Sequence, residues 1–208
     1  MLSFFLLGAG IGFVFGVSPG PVLTLVLAET MRGGWLRGAA VALGPLLADG
    51  PIIGLAFFVL TNLPTEIIQA LSLVGGAFLL YLAATTIWNS REARLVDGER
   101  LAASGGLLKG FLARALTPHA YLFWFLVGSP LVLQGSQEHW LAAPAFLAGY
   151  YSTIVGSNVA LALALDRWVG ALSGRLYQRL LLLASAVLGL YGLTLLGRGL
   201  VAQRPHTL

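Results

Sequence analysis

A serine, two prolines and a glycine stand together at Ser18-Pro19-Gly20-Pro21, inside a run from Met1 to Ala28 that carries no charged side chain. Proline lacks a backbone N–H and its ring clashes with the preceding turn, so an α-helix cannot pass through this tetrapeptide. Ser18 is expected to cap a second half-helix through its side-chain oxygen, with Pro19 at the first helical position, where a missing N–H costs nothing. That half-helix, Pro21 to Glu29, would aim its positive dipole end at the break and favour an anionic group such as a carboxylate. Freed carbonyls of the upstream half, around Gly12 to Gly16, suit an ammonium or a cation, so a zwitterion finds both charges answered without a charged side chain. A second break, at Thr117-Pro118, repeats the same chemistry. The plainer alternative is that prolines merely kink helices in a membrane.

Ionisable residues within apolar runs are the other candidates. Asp49 lies in Gly44-Pro45-Leu46-Leu47-Ala48-Asp49-Gly50-Pro51, where an uncompensated carboxylate costs about 2.5 to 3.5 kcal/mol in a bilayer. Two readings account for it: a group that carries a proton or binds a substrate ammonium, or a cap for a helix restarting at Pro51. Arg114 could snorkel to the headgroups, pair with Asp49, or receive a substrate carboxylate. His119, just after the second break, is a proton relay or a satisfied polar residue. Tyr81, Tyr150, Tyr151, Ser157 and Asn158 could line a path, and interhelical hydrogen bonding explains them equally well. Gly8, Gly12 and Gly16 recur every four residues as a smooth face, which either lets the broken span rock against a neighbour or makes a homodimer contact.

The elements that must position these residues are membrane spans. Of 208 residues, 58% are hydrophobic and 10% charged, with mean hydropathy +0.88, whereas soluble domains carry roughly 25% charged residues. With no cysteine, disulfides, cysteine-ligated metal and thiol chemistry are excluded. No P-loop, dinucleotide fingerprint, nucleophile elbow or His/Glu metal spacing appears, so neither an enzyme nor a cofactor or metal is expected. The basic residues behind the net charge of +4 fall between apolar runs, which argues for topology signals and against a nucleic-acid partner. Met1 to Ala28 is read as a retained span and not a signal peptide. Further runs cover Gly38–Thr65, Ile67–Ser90, Ala115–Gln137, Trp140–Leu165 and Leu180–Gly197, making six spans in all.

If all six cross, Arg32, Arg37, Arg91, Arg94, Arg100, Lys109, Arg167, Arg175 and Arg179 share one side, and only Arg198 and Arg204 face the other. The positive-inside rule then puts both termini outside the cytoplasm. Trp35, Trp88, Trp140 and Trp168 at run ends fit the headgroup level. A polar linker, 90–106, divides the chain into three-span units, 1–89 and 107–208. Because three is odd, any similarity between them is an inverted-topology repeat. Gly12-Phe13 precedes Ser18-Pro19 by six residues, and Gly110-Phe111 precedes Thr117-Pro118 by seven. The fold expected is therefore an all-α integral membrane protein of six transmembrane helices in two inverted three-helix repeats, with broken helices in spans one and four.

Gly12-Phe13 through Pro21, Gly44 to Asp49, Gly75-Gly76-Ala77-Phe78-Leu79-Leu80-Tyr81-Leu82-Ala83 and Lys109-Gly110-Phe111-Leu112 through Pro118 together resemble the LysE/RhtB family of amino acid exporters. The resemblance covers the first four spans in order, and Ser-Pro-Gly-Pro is its most specific part. It implies a bacterial inner-membrane efflux protein driven by the proton gradient, and it supports Ser18, Pro19, Gly20, Pro21, Asp49 and Pro118 as site elements. This chain departs from the family pattern at Val22 and Arg114, where Asn is common, at Ala48, where Gly is, and at Thr117-Pro118-His119, where Asn-Pro-Lys is. Losing amides near both breaks while gaining a cation changes what the pocket accepts, towards a more anionic or less polar solute. Membrane thiol-disulfide carriers of the DsbD type share the paired breaks but need a cysteine in each. A scaffold or assembly protein without transport, or a small-solute channel, is the alternative class.

Overall fold

Without water to receive them, backbone N–H and C=O groups must be satisfied within the chain, and a helix does this locally. A computed structural model describes residues 1–90, 105–167 and 174–202, and among these residues the secondary structure is all helical. The helices are α1 (Leu2–Val17), α2 (Pro21–Gly33), α3 (Trp35–Ala42), α4 (Gly44–Thr61), α5 (Thr65–Ser90), α6 (Gly106–Ala115), α7 (Pro118–Phe123), α8 (Ser129–Glu138), α9 (Ala142–Arg167) and α10 (Gly174–Ala202). A π-helical turn, Trp124–Gly128, joins α7 to α8. Most of the linker, with Arg91, Arg94 and Arg100, lies outside the described residues, as do Trp168 and Arg204.

Large apolar side chains cover the outside, among them Leu2, Phe58, Leu116, Leu183 and Leu193. Such a surface suits hydrocarbon and not water. By length and composition α3–α4 and α9 can each cross a membrane, and the bent pairs α1–α2 and α6–α8 bring the number to four. In α5 and α10 the apolar stretches are shorter, Leu73–Thr85 and Leu181–Thr194. Trp88 and Trp140 are exposed, and the internal Trp124 is fully buried.

Both expected breaks are present, bending the chain by 60° between α1 and α2 and by 64° after α6. The first differs in detail from its sequence reading. Gly20, not Ser18, is the N-cap of α2, with Pro21 and not Pro19 in its first turn; Ser18 instead closes α1, its N–H bonding the Val14 carbonyl at 2.9 Å. The cause is steric, because a residue preceding proline is pushed out of the α region, and Gly20 before Pro21 is extended. At the second break Thr117 is the N-cap of α7 with Pro118 in the first turn, but its hydroxyl turns back to the Ala113 carbonyl. No helix restarts at Pro51: α4 runs through it, so Asp49 caps nothing.

Helices distant in sequence pack together. α1 packs along α9, α6 along α4, and α5 against α10. The glycine stripe is an intramolecular seam: a Cβ on Gly8 would meet Phe146 and Tyr150, on Gly12 Tyr150 and Thr153, and on Gly16 Ile154 and Ser157. Because the contacts advance together, α1 and α9 run parallel. Gly110 meets Val41 and Gly44 in the same way, at the seam between α6 and the α3–α4 span. Gly76 and Gly192 make the corresponding close approach of α5 and α10. There Gly76 meets Leu196 while Leu80 meets Gly192, so these two helices run antiparallel.

Candidate functional site

The close approach of Gly44 and Gly110 sets the register of the site. Five residues beyond Gly44 on α4 is Asp49, and four beyond Gly110 on α6 is Arg114; both are buried. Arg114 Nε donates to Asp49 Oδ1 at 2.7 Å and Nη2 to Oδ2 at 2.9 Å, a two-pronged pair. Planar guanidinium and carboxylate match in this geometry, and charge assistance makes each bond stronger than a neutral one. Arg114 thus pairs with Asp49 and does not snorkel.

From α9, the same Nη2 also donates to the Tyr150 hydroxyl at 3.0 Å, and the Tyr151 hydroxyl reaches Asp49 Oδ2 at 3.4 Å. From α1, the Phe15 ring lies 5.8 Å from the guanidinium carbon, close enough for cation–π attraction. Tyr150 is fixed by aromatic neighbours, stacked on Phe123 at 5.4 Å and on Phe146 at 6.3 Å, with Trp124 edge-on at 5.4 Å. The π-helical turn thus serves the site, placing Trp124 against Tyr150. Trp124 Nε1 is buried there without a hydrogen-bond partner among the described residues.

In front of Arg114 lies a cavity of about 230 Å³ that both breaks enter. Ser18, Pro19, Gly20 and Pro21 line it from the first, and Arg114, Thr117 and His119 from the second. Leu82 and Thr85 of α5 and Leu188 of α10 complete the wall. Asp49 stands behind Arg114 and does not line the cavity, nor does Pro118. The breaks differ in how their polar groups are satisfied. At the second, Thr117 N–H reaches the Arg114 carbonyl at 3.1 Å and the Tyr121 hydroxyl the Ala115 carbonyl at 2.8 Å. At the first, Ser18 Oγ is buried without a partner among the described residues.

The remaining sequence candidates are less central. His119 is exposed and its ring stacks on Phe78 at 6.4 Å, with no hydrogen bond to Asp49. Tyr81 is exposed, away from the cavity. Ser157 and Asn158 hydrogen-bond the Ile154 carbonyl of their own helix. Among the described residues no cluster of His, Cys, Asp or Glu has a metal-binding arrangement.

A second buried ion pair went unread in the sequence. Lys109 Nζ donates to Glu29 Oε1 at 2.7 Å, tying the end of α2 to the start of α6, and Arg32 lies 3.3 Å from the same oxygen. Lys109 is the chain's only lysine and Glu29 the acid that ends its first uncharged run. Those two facts were the available signal.

A family model described as LysE type translocator matches residues 13–199. A curated relative, the chemotactic transduction protein ChpE of Pseudomonas aeruginosa, is 27% identical over 157 residues, covering 72% of this chain and 76% of its own length. No solved structure matches.

Proposed function

The chain belongs to the LysE type translocator family, a family of multi-pass membrane transporters of small solutes, and from this premise we propose an inner-membrane exporter of amino acids or related small solutes, coupled to the proton gradient. The observation that carries the reading is the cavity shared by both breaks, with Arg114 in its wall and Asp49 behind it. Two half-helices ending at one cavity offer a solute unpaired backbone groups that a continuous helix would keep for itself. Asp49 is the proton carrier: once neutral it no longer holds Arg114, and the guanidinium is free to change partner. A buried ion pair is a two-state element of this kind, because losing either charge strands the other.

Six spans arranged as two inverted repeats fit the packing. At about 1.5 Å per residue, α5 with 26 residues and α10 with 29 are long enough to cross despite their shorter apolar centres. A two-fold axis in the membrane plane pairs each broken span with the second span of the other half, and the third spans with each other. The packing of α1 on α9, α6 on α4 and α5 on α10 supports that pairing. The halves rock against each other on glycine seams, and both termini face outward.

Cells expressing the wild type, Asp49→Asn or Pro19→Ala at equal membrane levels are compared for the amino acids they release. Asp49→Asn should abolish gradient-driven release and Pro19→Ala reduce it. Equal release by all three removes the site assignment, and release no greater than from empty cells removes export. Flux indifferent to the gradient marks a channel instead.

A further inference from the structure

Arg114 is not used up by Asp49. Its Nε and Nη2 are engaged by Asp49 and Tyr150, while Nη1 has no hydrogen-bond partner among the described residues. Nη1 is also absent from the sealed, unpartnered polar atoms, although the side chain as a whole is buried. Arg114 lines the cavity, and Nη1 is the guanidinium nitrogen left to face a solute there.

The rest of the wall has the same polarity. Among the described residues no carboxylate lines the cavity, whose polar side chains besides Arg114 are Ser18, Thr85, Thr117 and His119. Pro21, Val22 and Leu23 bring the first turn of α2 to it, with the N–H groups and positive dipole end that favour anions. Ser18 Oγ has no partner among the described residues but is sealed, so the wall's donors are Arg114 and the α2 N–H groups. Val14, Phe15, Leu82 and Leu188 supply an apolar side. An ammonium would meet only uncharged carbonyls and hydroxyls. The volume, about 230 Å³, suits a small solute.

We propose that the cavity recognises its solute by a carboxylate, received on Arg114 Nη1 with Asp49 as the competing internal anion, and that an ammonium on the solute is dispensable. The substrate class is then small organic acids with a compact apolar body, amino acids included only by virtue of their carboxylate. This rests on the transport reading for its biological meaning, but binding tests it separately.

Three matched probes separate the groups: leucine, 4-methylpentanoate, which is leucine without its ammonium, and 3-methylbutylamine, which is leucine without its carboxylate. Binding of each to the purified full-length protein in nanodiscs is measured by calorimetry. Leucine and 4-methylpentanoate should bind with affinities within a few-fold of each other, and the amine should not bind. Asp49→Asn, which removes the competitor, should tighten 4-methylpentanoate by roughly tenfold, the scale of one hydrogen bond to a charged group. Arg114→Gln/Asp49→Asn, which leaves no stranded charge, should lose the acid altogether. Binding of the amine alone, no binding of the acid, or full acid binding by the double variant each overturns the inference. Acid binding with no flux of either probe in liposomes upholds the carboxylate site and removes the transport reading instead.

Discussion

A buried arginine is tolerable only if its charge is met, and a buried aspartate likewise, so Asp49 and Arg114 depend on each other for their place in the fold. Removing one partner of a buried pair costs about 3 to 5 kcal/mol, while removing both is far milder. Thermal unfolding in detergent should therefore show Arg114→Gln strongly destabilised and Arg114→Gln/Asp49→Asn closer to wild type than that single variant. A double variant as unstable as the sum of the two singles would show that the charges are not coupled. Each residue was visible in the sequence because it interrupts an uncharged run. Their pairing was left open among three alternatives, since 65 residues separate them and no local pattern relates one helix to the other. What brings them together is the contact of Gly44 with Gly110, a long-range packing fact. Tyr150 and Phe15 joined the site for the same reason.

At the scale of elements, the seams are where the chain has least freedom. A side chain at Gly12 would drive α1 off the Tyr150 and Thr153 region of α9, whereas nothing lies within 4 Å of a Cβ at Gly156. Gly12→Leu should abolish the monodisperse folded peak in size-exclusion chromatography. Gly156→Ala should leave it intact and stabilise the helix by about 0.5 to 1 kcal/mol, as alanine does in a helix interior. Survival of Gly12→Leu would mean that the α1–α9 seam is looser than its geometry. The helix breaks were legible because prolines in mid-run leave the backbone no choice. The cap was misread because Pro19 and Pro21 can each open a helix, and only the restriction that Pro21 places on Gly20 decides between them. The buried pair Lys109–Glu29 escaped notice because each residue sits at the end of a run, where a charge ordinarily meets solvent or headgroups.

For the whole molecule, hydropathy and the placement of Lys and Arg gave the membrane class and an orientation, and the missing cysteines make both testable on an otherwise thiol-free background. In intact cells, Ser3→Cys should react with an impermeant maleimide from outside and Gly105→Cys only after the membrane is opened. The opposite pattern would invert the topology. The packing of helices distant in sequence was not legible, because apart from the Gly-Phe and hydroxyl-Pro steps the two halves share no visible alignment. Packing of this kind resides in which helices touch, and no local pattern records that. The central claim is that solutes pass through the cavity where the two breaks meet, and one modification tests it most directly. Val22 lines that cavity, while Trp140 is exposed on the outer surface. Val22→Cys and Trp140→Cys are purified, reconstituted and assayed for counterflow of labelled leucine before and after reaction with a small methanethiosulfonate. Modification at position 22 should stop the flux, with unlabelled leucine slowing the reaction, and modification at position 140 should change neither. Undiminished flux through a protein fully modified at position 22 would contradict the account.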